Sequence, residues 1–338
     1  MGNVLLVTDE RFLDHATPQG HPERPARIGA VLDALDQSPI ADALVRQAPR
    51  RAELSDILRV HDQGHIGALA QFCRTGGGAI DPDTHVVPAS WDAALLAAGA
   101  GLTAIEALSG GEADAAFCAV RPPGHHASAH RAMGFCLLNS VAVSAAALAD
   151  AGERVLIVDW DAHHGNGTQD VFYDDDRVLF ISMHQYPFWP YTGAITDTGR
   201  GPGAGYTINV PFPAGTPGDA YRQAIDEVVT PAACRFAPTW VLISAGFDAH
   251  RADPLTEMGL SSGDYVELTQ RVVDLVAPGR RIAFLEGGYN LAALGASAAA
   301  CVGALSGEVV RPEPLTNGDS HRSVSDEIIE QVRIIHAL

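Results

Sequence analysis

Basic side chains are scarce in this chain: 22 stand against 41 acidic ones, a formal net charge of −19. That shortage speaks against nucleic-acid binding, which needs a basic face. It suits a protein whose substrates are neutral or cationic. Cysteines are few and scattered: Cys73, Cys118, Cys136, Cys234 and Cys301 are odd in number and hold no CxxC pair. Reduced thiols in a cytoplasmic protein are therefore expected, without a disulfide framework. No apolar run reads as transmembrane, and Met1 to Glu10 lacks the basic start and long apolar core of a signal peptide. No membrane partner is expected. Gly76 to Gly78 lacks the strand–GxGxxG–helix setting of a phosphate loop. Linkers, composition shifts and internal repeats are also missing, so residues 1–338 read as one domain.

What is present is a globular composition, 47% hydrophobic and 19% charged, in a chain long enough to bury a large core. Short apolar runs at Val4–Val7, Ala115–Val120, Val155–Val158, Val178–Met183, Trp240–Ser244 and Arg281–Leu285 read as strands. Between them lie helical stretches, among them one running to about Leu35 and others over Ser90–Leu108, Asn139–Ala149, Ala220–Arg235 and Gly263–Val276. A small-residue helix follows the last strand, and Asp326–His336 closes the chain. This alternation predicts an α/β fold, a mostly parallel sheet with helices on both faces. The segment from His184 to Gly205 reads as a long loop carrying Tyr186, Phe188, Trp189 and Tyr191.

In open α/β sheets functional residues gather just past the carboxyl ends of the strands. Four polar clusters stand there: His125-His126, the group Asp159–His164, Asp248, and Glu286-Gly287-Gly288-Tyr289. Each alone also reads as a turn or a helix cap; four at one sheet edge read as an active site. Asp161 and His163, at i and i+2 of an extended segment, point to one side. With Asp248 they form a two-carboxylate, one-imidazole set suited to a divalent transition metal. Three protein ligands leave a position open for water, the arrangement of catalytic sites. His125 and His126 suit acid–base work near neutral pH, with Asp159 and Asn166 close enough in sequence to orient them. Tyr289, presented by two glycines, can donate a hydrogen bond to a developing oxyanion. Together these parts suit hydrolysis of an amide or ester.

The motifs RPPGHHA (Arg121–Ala127), GFC (Gly134–Cys136), DWDAHHGNGT (Asp159–Thr168), SAGFDAH (Ser244–His250) and EGGYN (Glu286–Asn290) resemble those of the zinc-dependent histone deacetylase and acetylpolyamine amidohydrolase superfamily. The resemblance spans His21 to Asn290 in the family's order, and Asn166, where class I members usually carry Asp, leans toward class II. It implies an arginase-like α/β fold, with a motif-bearing core over about 21–306 and a closing helix over about 322–336. One Zn²⁺ is implied at Asp161, His163 and Asp248. His125 is implied to pair with Asp159, His126 with Asn166, and Tyr289 to polarise the carbonyl. Structural K⁺ is implied at Asp159, Asp161, His163, Ser182 and Met183. Phe135 is implied to line the acyl channel, with Gly134, Gly287 and Gly288 in contact with substrate and Phe188 or Trp189 on the opposite wall. Asp83 (or Asp81) resembles the rim aspartate, and Arg27 an arginine deep in the site.

Two substrate classes follow from the resemblance, acyl-lysine in proteins or peptides and acetylated polyamines. A third reading is an acyl-lysine binding module without turnover, which intact Tyr289 and both histidines oppose. Polyamine-specific relatives resemble one another in an acidic gatekeeper shortly after the metal-binding Asp, where this chain reads Asp253-Pro254-Leu255. Leu255 cannot pair with an ammonium, which favours acyl-lysine, although Asp197 in the long loop is a further candidate acid. Partners expected are these substrates, with no nucleic acid and no membrane; a homo-oligomer is compatible with the sequence.

Overall fold

The computed structural model describes residues 2–318 and 322–338. The chain runs β1 (Val4–Val7), α1 (Ala26–Asp36), β2 (Leu44–Gln47), α2 (Leu54–Ile57), α3 (Gln63–Arg74), β3 (Gly78–Ala79), β4 (His85–Val86), α4 (Ser90–Ser109) and β5 (Ala115–Cys118). It continues through α5 (Ser140–Asp150), β6 (Val155–Asp159), α6 (Asn166–Phe172), β7 (Val178–Gln185), β8 (Thr207–Phe212), α7 (Gly218–Ala224), α8 (Thr230–Phe236) and β9 (Trp240–Ala245). It ends with α9 (Ser262–Val273), β10 (Arg281–Leu285), α10 (Leu291–Ser306) and α11 (Arg322–His336).

Eight strands form one sheet in the order β2-β1-β5-β10-β9-β6-β7-β8, and every pairing in it is parallel. The four central strands β5, β10, β9 and β6 are apolar and buried almost throughout, as a parallel sheet covered on both faces requires. Register then does the positioning: Asp159 at the end of β6 lies opposite Ser182 of β7 and Ser244 of β9. The loops carrying the polar clusters therefore leave the sheet side by side. Two are closed by asparagine helix caps, Asn139 accepting from the Ala142 N–H at the start of α5 and Asn290, the last residue of EGGYN, from that of Ala293 at the start of α10.

Several expectations need correction. β2 and β8 are strands the apolar pattern did not announce. β2 is a largely exposed edge without alternation, and β8 carries Asn209 and Pro211, the latter tolerated because β8 is the other edge. The helix expected over Ala220–Arg235 is interrupted by a π-helical turn at Ile225–Val229. The expectation that no apolar run reaches transmembrane length also fails, since Ser90–Ser109 is long and apolar enough to cross a bilayer. In this fold α4 is instead a core helix packed against α5 and β5, buried nearly all round. All five cysteines are free, four buried and Cys234 exposed.

Candidate active site

Past β6 the chain turns so that Asp161 and His163 face the loop leaving β9, which carries Asp248. Ligand atoms of these three side chains all lie within 4.8 Å of one another. His163 Nδ1 stands 3.1 Å from Asp161 Oδ1 and 2.9 Å from Asp248 Oδ2. The other carboxylate oxygens are held by main chain: Asp248 Oδ1 accepts the Ala162 N–H at 2.8 Å, and Asp161 Oδ2 that of Gly287 at 2.8 Å. Gly287 must be glycine for this approach, since a Cβ there would come within 2.6 Å of Asp161 Oδ2. Burial, then the charge of Asp161, pushes the Asp248 carboxyl up to about 7. The two buried carboxylates share the His163 ring, and a divalent cation held between Asp161, His163 and Asp248 would balance their charge in its place. The donor set fits such an ion.

His125 and His126 leave the end of β5 with ring centroids 3.9 Å apart. His125 Nδ1 lies 3.0 Å from Asp159 Oδ2, and His126 Nδ1 lies 2.8 Å from Asn166 Oδ1. The partners separate the two rings electrostatically. Burial disfavours charge on His125, but Asp161 and Asp159 outweigh it and lift its pKa to about 10. Burial, with the neighbouring His125 and His163, drives His126 well below its ordinary value. The surroundings thus push the proton affinities of the two rings apart, His125 up and His126 down, which is the pattern of an acid–base pair with divided roles.

Tyr289 closes the far side. Its phenol is held protonated chiefly by burial, against the pull of the Arg27 guanidinium 5.0 Å from the ring centroid. Asp253 fixes its main chain, Oδ2 accepting the Tyr289 N–H at 2.7 Å while Oδ1 accepts that of Leu255 at 2.9 Å. Arg27 is fully buried, donating from Nε to the Gly288 carbonyl at 2.7 Å and from Nη2 to that of Glu286. Above these groups a channel of about 250 Å³ is lined by Pro22, Asp83, His126, Gly134, Phe135, His163, Trp189, Leu255 and Tyr289. Gly134, at φ +57°, leaves room where a Cβ would come within 2.6 Å of the His126 ring.

Trp189 lines the channel, while Phe188 lies against the His163 ring at 5.2 Å. Asp83 faces the channel, whereas Asp81 accepts the N–H groups of Asp83 and Thr84 within its own turn. Gly287 and Gly288 are not among the lining residues; Gly287 packs on the metal-side carboxylates and Gly288 near Phe247 and Leu294. Asp197 accepts the Ala194 N–H and lies outside the channel lining. Ser182 and Met183 are buried within β7, Ser182 directly opposite Asp159. Asp253 is a supporting group that motif reading left without a role. A buried carboxylate that accepts main-chain N–H groups has no spacing signature. The same holds for His164, bonded to Thr192 Oγ1 at 2.8 Å and Gln169 Oε1 at 3.0 Å, which ties the Phe188–Trp189 loop to α6.

A parallel α/β sheet with two carboxylates and an imidazole, a histidine pair and a phenol at its carboxyl edge defines the arginase-like class of fold, with a candidate site for metal-assisted hydrolysis. The comparisons narrow it. Residues 21–305 match the histone deacetylase domain, so the chain belongs to the histone deacetylase family. A probable deacetylase of Archaeoglobus fulgidus is 42% identical over 292 residues, 85% of this chain and 81% of that protein. A histone deacetylase-like amidohydrolase of Pseudomonas aeruginosa is 40% identical over 296 residues, covering 85% and 77%. Among solved structures, the crystal structure of the HDA15 HD domain superposes with a TM-score of 0.91 at 36% identity, covering 98% of this chain and 96% of that one. Deacetylase or amidohydrolase activity is what this membership supports.

Proposed function

We propose that the chain is a zinc-dependent amidohydrolase that removes acetyl or other acyl groups from Nε-acyl-lysine in peptides or proteins. The observation that carries this reading is the convergence of the Asp161–His163–Asp248 set, the unequal histidine pair and Tyr289 at the foot of one narrow, aromatic-walled channel. Zinc, when bound by those three side chains, supplies a Lewis acid for the acyl carbonyl and lowers the pKa of a water. The chain's own groups do the rest. Phe135 and Trp189 flank an apolar stem and exclude solvent from it. His126, neutral and oriented through Nδ1 by Asn166, is the base that takes the proton from water at Nε2. His125, held charged by Asp159 and Asp161, stabilises the negative charge that develops beside it. The Tyr289 hydroxyl, kept protonated, donates to the carbonyl oxygen as it becomes negative.

Structural potassium belongs to the same reading at Asp159, Asp161, His163, Ser182 and Met183, supported by the register that sets Asp159 opposite Ser182. Acyl-lysine is favoured over acetylpolyamines because the channel lining holds Leu255 and a single carboxylate, Asp83. The test is metal dependence. The purified chain is expected to hold about one zinc and to hydrolyse an acetyl-lysine peptide, with activity lost to a chelator and restored by Zn²⁺. Asp161→Ala, His163→Ala and Asp248→Ala should each lose the metal. Full activity in a metal-free preparation would sink the mechanism.

A further inference from the structure

Glu286 opens the EGGYN motif, yet neither the metal set nor the acid–base pair uses it. It is 1% exposed, and among the described residues no arginine or histidine forms an ion pair with its side chain. A His125 ring nitrogen lies within 4.8 Å of its carboxylate, but the hydrogen bonds that burial takes from water must be supplied by main-chain donors. Here they are: Oε2 accepts the Gly124 N–H at 2.7 Å and the His125 N–H at 3.1 Å. These are the two residues at which the chain leaves β5 and turns to present the histidines.

The rest of the Glu286–Tyr289 segment is anchored independently. The carbonyls of Glu286 and Gly288 accept from buried Arg27, the Gly287 N–H donates to Asp161, and the Tyr289 N–H donates to Asp253. One side chain therefore spans from the rigid loop that carries Tyr289 to the turn that carries His125. The turn is also held by the Thr168 N–H on the His125 carbonyl at 3.1 Å and by His125 Nδ1 against Asp159, but among the described residues nothing else accepts from the Gly124 and His125 N–H groups.

We infer that Glu286 is a positioning residue whose carboxylate, by accepting the Gly124 and His125 N–H groups, fixes the histidine pair relative to Tyr289. It acts by reach and acceptor geometry, through His125, and touches no substrate. The inference rests on the deacetylase reading for its kinetic consequence, while the clamp itself can be read without activity.

Two conservative variants separate the possibilities. Glu286→Gln keeps the length and an acceptor oxygen but removes the charge. Glu286→Asp keeps the charge but withdraws the acceptor by about 1.5 Å, one carbon–carbon bond. Hydrogen exchange at the Gly124 and His125 amides should stay slow in Glu286→Gln and speed up in Glu286→Asp. With an acetyl-lysine peptide, Glu286→Gln should remain within threefold of wild type in kcat. Glu286→Asp should lose tenfold or more in kcat with KM within threefold and zinc content unchanged. Equal exchange in both variants, or an Asp variant as active as the Gln variant, would overturn the assignment. A wild-type chain inactive on every acyl amide would instead remove the deacetylase reading and leave the exchange result to decide the clamp.

Discussion

The floor of the site and the rim of its channel are built in different ways. The floor stands on strand ends: Asp159, Asp161 and Asp248 are fully buried, and His125 and His126 nearly so. Each is held by at least one hydrogen bond of 3.1 Å or less. The rim stands on loops. Asp83 is half-buried and Leu255 is 37% exposed, and neither position is set by a sheet register. Groups on the floor act in a medium where a charge or a hydrogen bond carries its full weight; groups on the rim are screened by water. Substitutions on the floor should therefore change rate by orders of magnitude, and those on the rim should change preference by small factors.

The sharpest break of that contrast is Tyr289→Phe, which removes one oxygen from the floor and leaves the ring against Arg27 and Phe135. A preorganised donor to an oxyanion is worth about 10²–10³-fold in kcat. Zinc content and thermal stability should stay at the wild-type level. A variant within twofold of wild type would mean that the phenol only packs.

Within the floor, the two histidines differ by one atom in their partners, and Asn166→Asp tests whether that difference matters. An aspartate there would set a negative charge next to His126 Nδ1, favouring the imidazolium and raising its pKa. The base works only when neutral, so the acidic limb of the kcat/KM profile should move to higher pH, on the order of one unit. The two rings titrate as a coupled pair, and the shift belongs to the pair's apparent value. An unmoved limb would count against His126 as the base.

Floor and rim also differ in how far the sequence announces them. Dense runs such as DWDAHH and RPPGHHA follow apolar strands, and parallel topology sends every strand's carboxyl end to one edge, so these residues could be gathered before any coordinates. Residue type and spacing suffice there. The rim offers neither. Phe188 and Trp189 are adjacent aromatics, and only the path of the loop, pinned through His164 and Thr192, decides which one lines the channel. Asp81 and Asp83 are equally ambiguous until the turn's own hydrogen bonds use up the first. The edge strands escape for different reasons: β2 is largely exposed and so lacks the apolar run that burial imposes on central strands, whereas β8 is buried throughout but has that run broken by Asn209 and Pro211.

The smallest expected effect lies on the rim, at Leu255. It shares the channel lining with one carboxylate, Asp83, and with aromatic and imidazole rings. An acetylpolyamine would bring an ammonium near this wall, and an apolar leucine gives it no partner. An acetyl-lysine stem brings only methylenes. The net charge of −19 attracts cations of either kind at long range and is screened by salt, so it does not choose between them. The wild-type chain should accordingly show a higher kcat/KM for an acetyl-lysine peptide than for acetylputrescine or acetylspermidine. Leu255→Glu would supply the missing partner at an exposed position, where an ion pair is worth at most about 1 kcal/mol. That corresponds to a shift of roughly fivefold in the ratio toward the polyamine, without loss of zinc or of turnover on the peptide. An unchanged ratio would place the substrate stem away from residue 255, and a tenfold wild-type preference for the polyamine would reverse the choice of substrate.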